Sequence, residues 1–386
     1  MVILRALIVA AIAGCAGRAV AQTFTPVATV TSHGGGVAEP RVVGDHYVGL
    51  DIMTCDGDDC HVDIANTQSL AIERVHASRA RLARKLGHAG AMLEARLVSY
   101  DGDRAGLMIA GAEPGSSHWY AELDARTGAV VRATRLAPWS ADVDVYPVTA
   151  DLAHHAVWFA AVSFDGPRRE DLHFARERSA RSLALRRIDL ADLATADVAT
   201  LALPARLQAA PLEDDVSIHV SPDGAHVAVV EYFEEPHHLS PPASAYVIDT
   251  ATGASFAVPV PEVVYAAAFS PDGKYLVMSS AVTGEIRRVD LHTHAADLVV
   301  RGPKQTHQAF VTPNGKRVAV LGSSPRYVAL DLPGLGHASE LAGDARLASS
   351  MGGAPAAITP DSLIVVALPF GATLDQRDYA IVRLGN

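Results

Sequence analysis

The chain has 386 residues, of which 49% are hydrophobic, and its 43 acidic and 32 basic residues give a net charge of −11. This acidic balance argues against nucleic acid as a partner, because phosphate binding requires a surplus of Lys and Arg. A single domain of this length is expected for closed β architectures, and the 30 glycines and 22 prolines agree with a chain rich in turns.

The N-terminus has the organisation of an export signal. Arg5 is followed by an apolar run, Ala6 to Gly14, that is too short to span a bilayer. Ala19-Val20-Ala21 predicts cleavage of residues 1–21 as a signal peptide, which leaves residues 22–386 as a single domain.

The same segment supports an alternative form of processing. Ile12-Ala13-Gly14-Cys15 resembles a bacterial lipobox, so residues 1–14 would form a lipoprotein signal and Cys15 would carry the lipid. In both cases we expect an extracytoplasmic protein, in the periplasm or secreted, or else an outer-membrane lipoprotein. We expect no transmembrane segment and favour a monomer.

Two cysteines five residues apart, Cys55 and Cys60, predict a disulfide at the tip of a hairpin, as an oxidising compartment would allow. One alternative is a stretched haem-attachment motif, although the usual motif has two residues between its cysteines. Another is a Ca²⁺ site, although the regularly spaced acidic loop of such sites is missing. The acids in question are Asp51, Asp56, Asp58, Asp59 and Asp63. We favour the disulfide.

The chain contains 17 histidines, and the densest local cluster is Glu234, His237 and His238. A proline before the two histidines permits a turn that would direct both towards one metal ion. We predict no bound cofactor, with Ca²⁺ or a transition metal as the alternative.

The C-terminal half repeats one short motif. Its four copies are Ser221-Pro222-Asp223-Gly224, Ser270-Pro271-Asp272-Gly273, Thr312-Pro313-Asn314-Gly315 and Thr359-Pro360-Asp361, whose prolines lie 49, 42 and 47 residues apart. Pro sets φ, Asp or Asn caps the backbone and Gly accepts positive φ, so each copy predicts a tight turn between two strands. With weaker copies at Asp45, Asp101 and Asp151, the motif predicts seven four-stranded units.

A second motif, an apolar strand that ends in Asp and is often followed by Thr-Gly, supports this register and predicts the turn into each fourth strand. Its copies end at Asp63, Asp124, Asp189, Asp249, Asp290 and Asp331. The seventh unit lacks a fourth strand, because Tyr379 to Leu384 nearly ends the chain. Residues 25–32, rich in β-branched residues, are therefore predicted to be the outermost strand of the last unit.

The repeat resembles a known family. Phe269 to Ser280, followed by Arg288-Val289-Asp290, is similar to the WD40-like repeat of bacterial TolB-type seven-bladed β-propellers. The resemblance implies an all-β, seven-bladed propeller of four-stranded antiparallel blades, closed by the N-terminal strand. Such proteins serve as periplasmic scaffolds, ligand sensors, lyases and lactonases, so the resemblance leaves function open.

The order of strands in a blade predicts which face of the ring binds partners. The two motif turns share one face and are short, whereas long connections of variable length share the other face, where binding loops usually occur. On that face Arg74, Arg79, Arg81, Arg84 and Lys85 crowd one loop, and Arg168, Arg169, Arg176, Arg178 and Arg181 crowd another. Both loops could be short amphipathic helices, either merely solvated or binding an anionic partner.

The first strand of each blade lines the central channel, and the polar residues of these strands are the candidates for a small-ligand site. They are Glu39, Arg41, Glu94, Arg96, Asp144, Tyr146, His219, Tyr265, His307 and Gln308. A polar, water-filled channel with no such role is the alternative.

Two functions follow. The first is a non-enzymatic, exported propeller that binds a protein or cell-envelope component through the long-loop face. The second is a lactonase- or lyase-like enzyme at the channel mouth, with or without a metal. No nucleophile elbow, zinc motif or phosphate loop is present, so no catalytic residue is assigned.

Overall fold

The chain folds into seven antiparallel sheets that follow one another in sequence, as the repeat predicts. The structure is a computed structural model that describes residues 24–33, 38–87, 92–111, 118–137, 143–164, 180–202, 216–231, 244–259, 264–280, 283–301, 306–312, 315–322, 327–332, 334–341, 356–361, 363–368 and 377–384.

In the described residues, the N-terminal strand and the first three blades contain one α-helix and one 3₁₀ turn. The N-terminal strand is β1 (Phe24–Ser32). Blade 1 comprises β2 (Ala38–Gly44), β3 (Tyr47–Asp51), β4 (Thr54–Asp56), β5 (Asp59–Asn66) and β6 (Ala71–Ser78), followed by α1 (Arg79–Lys85). Blade 2 comprises β7 (Met92–Tyr100), β8 (Arg104–Gly111), β9 (His118–Asp124) and β10 (Val130–Ala137). Blade 3 comprises β11 (Val143–Asp151), the 3₁₀ turn Leu152–His154, β12 (Ala156–Phe164), β13 (Ala180–Asp189) and β14 (Thr195–Ala202).

The last four blades are built from strands alone in the described part of the chain. Blade 4 comprises β15 (Val216–Val220), β16 (His226–Glu231), β17 (Ser244–Asp249) and β18 (Ser255–Pro259). Blade 5 comprises β19 (Val264–Phe269), β20 (Tyr275–Ser280), β21 (Glu285–Asp290) and β22 (Ala295–Arg301). Blade 6 comprises β23 (Thr306–Val311), β24 (Arg317–Gly322), β25 (Tyr327–Asp331) and β26 (Gly336–Leu341). Blade 7 comprises β27 (Ala356–Ile358), β28 (Leu363–Ala367), β29 (Arg377–Leu384) and β1.

The N-terminal strand closes the ring. β1 pairs with β29 along its length, from Phe24 opposite Leu384 to Ser32 opposite Arg377. The prediction that residues 25–32 complete the last blade is therefore confirmed. The two strands are more than 340 residues apart in sequence, and their hydrogen bonds close the ring by joining them within one blade.

Among the described residues, blade 1 differs from the other six because it contains a fifth strand. β5 is longer than its neighbour β3, and the short strand β4 pairs with the free part of that edge, from Thr54 opposite His61 to Asp56 opposite Asp59. The four-stranded pattern therefore holds for blade 1 with one addition, a hairpin between its second and third main strands.

The hydrophobic core lies between neighbouring blades. On β16, Val227 and Val229 face a cluster shared with blade 3, while Ala228 and Val230 face a cluster shared with blade 5. A strand covered on both faces needs apolar residues at consecutive positions, because successive side chains point to opposite faces. This requirement explains the short continuous apolar runs that border each turn motif.

The Ser or Thr that opens the first turn motif holds the turn together. The buried Ser270 hydroxyl donates to the Asp272 carboxylate (2.6 Å) and accepts from the Tyr275 N–H (3.0 Å), and Ser221 makes the same two bonds in blade 4. The Gly273 N–H donates to the Ser270 carbonyl, and Gly273 has φ +67°. The sequence analysis assigned this turn to Pro, Asp and Gly alone and missed the hydroxyl.

The second motif places one residue in the left-handed region, four positions after the strand-ending Asp. Glycine occupies it in blades 2 and 4 (Gly128, φ +65°, and Gly253, φ +70°). Three other blades use Leu193, His294 and Leu335 at the same position, also with positive φ. These residues accept an unfavourable conformation because they pack on the preceding blade, as in the stacking of His294 on Phe256 at 3.9 Å.

The prediction that Asp63 ends this strand in blade 1 is wrong. β5 continues to Asn66, whose side-chain oxygen accepts hydrogen bonds from the N–H groups of Gln68 and Ser69, and Leu70 takes the left-handed position. Asn can cap a turn as Asp does, so the motif is present with its acid replaced. Asp63 instead lies in the middle of β5 and is buried.

Candidate functional site

The ring has two unlike faces. The turn face carries the connections from first to second strand in every blade and from third to fourth strand in blades 1 to 6, and the loop face carries the other connections. Most loop-face connections, among them residues 112–117, 165–179, 203–215, 232–243 and 369–376, lie outside the described residues. Of the second basic cluster, Arg168, Arg169, Arg176 and Arg178 therefore lie outside them, as does the side chain of Arg181.

On the turn face, the turns of blades 4 and 5 pack on the turn of the preceding blade. A Cβ added to Gly273 would stand 2.7 Å from the Asp223 carboxylate, and one added to Gly224 would stand 3.0 Å from the His154 ring. Glycine is thus required at these positions for two reasons, the positive φ and the short distance to the neighbouring turn. These turns are closely packed against one another, so few of their positions can accept a larger side chain.

The described part of the loop face is dominated by the insertion of blade 1. β4 and β5 form a hairpin in which Cys55 and Cys60 are opposite each other and joined by a disulfide, as predicted. Cys60 is buried in a cluster with Met53, Leu82 and Leu86, whereas Cys55 is exposed. The disulfide therefore fixes an exposed hairpin to the apolar core.

The hairpin also holds α1. The Asp58 carboxylate at its tip accepts hydrogen bonds from the Ala80 N–H (2.7 Å) and the Ser78 hydroxyl (2.7 Å), and these bonds lower the pKa of Asp58. Ser78 caps the helix by accepting from the Arg81 N–H. The helix predicted in this loop is confirmed, and it is seven residues long.

α1 is amphipathic and basic. Leu82 is fully buried, whereas Arg81, Arg84 and Lys85 are exposed and form no ion pair with any side chain in the part of the chain that the structure describes. A short helix tied down by a capped hairpin and a buried leucine presents these cations from a fixed position. On a chain with a net charge of −11, they form a local basic surface.

Arg74, which the sequence analysis grouped with these cations, does not belong to the loop. It lies on β6 and forms a two-pronged ion pair with the buried Asp63, with nitrogen–oxygen distances of 2.6 and 2.8 Å. β6 extends to Ser78, beyond the predicted start of the loop at Val75. The basic surface therefore consists of the residues on α1.

All ten channel candidates lie on first strands, namely β2, β7, β11, β15, β19 and β23. The side chains of seven of them are outside the described part of the structure: Glu39, Glu94, Asp144, Tyr146, Tyr265, His307 and Gln308. The remaining three are Arg41, Arg96 and His219, all of them partly buried.

Arg41 and Arg96 come together. They extend from the neighbouring first strands of blades 1 and 2 and line one small pocket. Asp51, at the end of β3, completes its polar lining, with Gly49, Ile52 and Leu97 as the rest. This pocket contains the one pair of channel candidates that the described side chains bring together.

His219 lies elsewhere in the channel wall, on β15. Its ring retains some exposed area but is enclosed by protein, and this burial lowers the pKa of His219 to about 4. Nε2 lies 2.9 Å from the Ser217 hydroxyl. The ring is therefore neutral at physiological pH and suited to hydrogen bonding rather than to anion binding.

Within the described residues, no group of three or more His, Cys, Asp or Glu side chains is arranged to hold a metal ion. Of the acids considered for Ca²⁺, Asp51 and Asp63 are buried and hydrogen-bonded within the protein, and Asp58 caps α1. The candidates Glu234, His237 and His238 lie outside the described residues, as does Cys15.

The fold has a counterpart among solved structures. The chain is similar to a WD40 β-propeller in the structure titled "Crystal Structure of Mitotic Checkpoint Complex", with a TM-score of 0.59 and 12% sequence identity over 95% of this chain and 93% of that chain. At this identity the likeness shows the fold alone. The protein is thus a seven-bladed β-propeller of WD40-like fold.

No protein-family model matches the chain, and no curated protein matches it. Among the described residues, no helix has the length and apolar character needed to cross a membrane.

Proposed function

We propose that this protein is an exported β-propeller that binds a protein or a cell-envelope component through its loop face. The apolar run after Arg5 and the small residues before Gln22 support export. The Cys55–Cys60 disulfide agrees with export, because disulfides persist in oxidising compartments. The repeat from Phe269 to Ser280 supports placing the chain among TolB-type propellers.

The observation that carries this proposal is the difference between the two faces. The turn face carries short turns that are hydrogen-bonded internally and pack closely on neighbouring turns. On the loop face of blade 1, by contrast, a short helix is held in place by a disulfide-linked hairpin that caps it and by a buried leucine. The outer side of this helix is basic and exposed. Rigid display of side chains that the core does not need is what a recognition surface requires.

The chemistry of α1 selects the class of partner. Arg81, Arg84 and Lys85 are three cations within five residues, on a protein that is acidic as a whole. They complement an anionic surface, such as an acidic protein segment or an anionic envelope component. The similar solved chain belongs to a protein complex, by its title, and this supports a binding role for the fold.

The test is site-specific photo-crosslinking in the producing cell. A photoreactive residue replaces Arg84 on the loop face or, as the matched control, Arg126 on the turn face, since both are exposed arginines. Discrete adducts of higher mass at position 84, and none at position 126, are the expected outcome. Equal adduct patterns at the two positions, or adducts at 126 alone, would contradict the proposal.

A further inference from the structure

The junction of blades 7 and 1 contains a buried polar network. The Ser32 hydroxyl, at the end of β1, lies 2.6 Å from Asp51 Oδ2 and 2.9 Å from Asp63 Oδ2. The Tyr379 hydroxyl donates to Asp51 Oδ1 and lies 3.1 Å from the Leu50 carbonyl. Four strands meet there, β1 and β29 from blade 7 and β3 and β5 from blade 1, and Ser32, Asp51, Asp63 and Tyr379 are all buried.

The contacts of this network require one more proton than its two hydroxyls supply. Ser32 has a single hydroxyl proton, yet its oxygen lies within hydrogen-bond distance of two carboxylates. If that proton points to Asp63, the Ser32 lone pair faces Asp51 Oδ2 at 2.6 Å. Two acceptors at that distance repel each other, so one carboxylic acid must donate.

The surroundings of the two acids decide which one carries the proton. Asp63 receives two N–H groups from Arg74 and the backbone N–H of His33, all of which stabilise a charged carboxylate. Burial alone would raise the pKa of Asp63, but these bonds and that from Ser32 outweigh it and lower the pKa. Asp51 lies within hydrogen-bond distance of the Ser32 and Tyr379 hydroxyls, which can bond equally well to a neutral acid.

The groups around Asp51 agree with this assignment. The charged or titratable groups that act on it or line its pocket are Asp63 on β5, Arg377 and Tyr379 on β29, Arg41 on β2 and Arg96 on β7. Arg74 on β6 and His33 after β1 bond to Asp63. Burial is the largest influence on the pKa of Asp51 and raises it. The Asp63 charge adds to this rise, and the contacts with the Ser32 and Tyr379 hydroxyls and the Arg377 charge do not cancel it.

We propose that Asp51 is protonated in the closed ring and serves as a proton-dependent latch, so that loss of its proton loosens the junction of blades 7 and 1. The protonated acid donates through Oδ2 to Ser32, and Ser32 donates to Asp63. Tyr379 donates to Oδ1 of the same acid. Removing the proton leaves Asp51 Oδ2 and the Ser32 oxygen in repulsive contact beside a charged Asp63. Because Asp51 also lines the pocket of Arg41 and Arg96, it can exchange its proton through the channel side.

The sign of the pH effect follows from linkage. Asp51 holds its proton more tightly in the closed ring than in the opened one, so the closed ring binds more protons and closure weakens as pH rises. The contribution of Asp51 is complete below its pKa in the open state, about 3.9, and is lost as pH rises from there towards the higher pKa of the closed ring. Within that window, opening of the junction increases about tenfold per pH unit.

Hydrogen exchange of the full chain between about pH 4 and pH 8 tests the latch, after correction for the intrinsic pH dependence of exchange. In the wild type, protection of residues 24–32 and 377–384 should fall as pH rises, while protection of residues 226–231 in blade 4 should not. Asp51→Asn imitates the protonated acid, because its amide donates to Ser32 and accepts from Tyr379, so protection should become independent of pH. A wild-type profile that is flat at the junction, or an Asp51→Asn profile with the wild-type slope, would overturn the proposal.

Asp378→Asn is the matched control, since Asp378 lies on the same strand pair and bonds to Thr31 (2.6 Å) outside the network. It should keep the wild-type slope, and a flat profile in this variant would count against Asp51 as the titrating group. Should Asp51→Asn not fold, infrared spectroscopy of the wild type decides. A protonated-carboxyl C=O band that persists above about pH 5 supports the latch, and its absence rejects it.

Discussion

The turn face and the loop face of this ring are made from the same strands, yet they use the chain differently. On the turn face, residues with positive φ, such as Gly128 and Gly273, lie against the neighbouring blade. On the loop face, Gly57 has the same kind of φ (+62°) at a hairpin tip, with no atom within 4 Å of the position of its missing Cβ. The turn face holds neighbouring blades together, whereas the loop face carries exposed side chains that local contacts keep in place.

The difference teaches where this propeller tolerates change. Core clusters between blades continue into the turn-face contacts, so a change there affects two blades at once. The hairpin and α1 touch the core through Cys60, Leu82 and Leu86, and the rest of their surface is free of that constraint. Mutations should therefore separate the two faces by their cost in stability.

The largest expected effect is that of Gly128→Ala on the turn face. Both the positive φ and the overlap of a Cβ with the His76 carbonyl oxygen oppose the alanine, so the free energy of unfolding should fall by about 3 kcal/mol. Gly57→Ala on the loop face has the strained φ without the overlap and should cost about 1 kcal/mol. Denaturant titration of both variants checks this, and equal losses would show that the two faces do not differ.

A smaller effect is expected from the disulfide. Replacing Cys55 by Ser together with Cys60 by Ala should lower stability by about 2 kcal/mol, because the bond closes a loop of only a few residues. Loss of hydrogen-exchange protection should be confined to residues 54–66 and 78–87. Loss of protection in blade 4 as well would mean that the hairpin supports the whole ring.

The next effect is that of a turn-face acid and depends on pH. The Ser270 hydroxyl and the Lys274 N–H lower the pKa of Asp272, so its contribution is present above the unfolded pKa of about 3.9 and is lost as pH falls through the folded pKa. Asp272→Ala should cost about 1 kcal/mol at neutral pH, and its deficit relative to wild type should shrink below about pH 4. Thermal melts across that range measure it. Asp56→Asn on the loop-face hairpin is the control and should stay within about 0.5 kcal/mol of wild type.

The smallest effect on stability belongs to the exposed cations of α1. Arg81→Gln, Arg84→Gln and Lys85→Gln together should change the free energy of unfolding by less than about 0.5 kcal/mol, since none of the three side chains is buried. With the photoreactive residue at position 84, the pair Arg81→Gln and Lys85→Gln should lose the crosslinks expected at the loop face. Intact crosslinking would show that partner binding does not depend on this basic surface, whereas marked destabilisation would show that the cations support the fold.

Much of the architecture could be predicted because its signals are local. The motifs around Pro222, Pro271 and Pro313 gave the period, and the unpaired seventh unit gave the closing strand that β1 provides. The Asp63 turn was predicted wrongly because an Asp in an apolar strand was taken as a strand end. Within Val62-Asp63-Ile64-Ala65, that acid is a buried ion-pair partner, and a charge inside an apolar run was the available signal.

The sequence by itself determined the turns, the number of blades, the disulfide pair and the strand left to close the ring. These depend on φ preferences and on apolar runs, which each segment carries alone. Only the tertiary structure decided that Arg74 belongs to Asp63, that α1 holds the exposed cations, and that Ser32, Asp51 and Tyr379 share a buried polar network. Burial and hydrogen-bond partners are properties of neighbours in space, and Ser32 and Tyr379 become neighbours only when the ring closes.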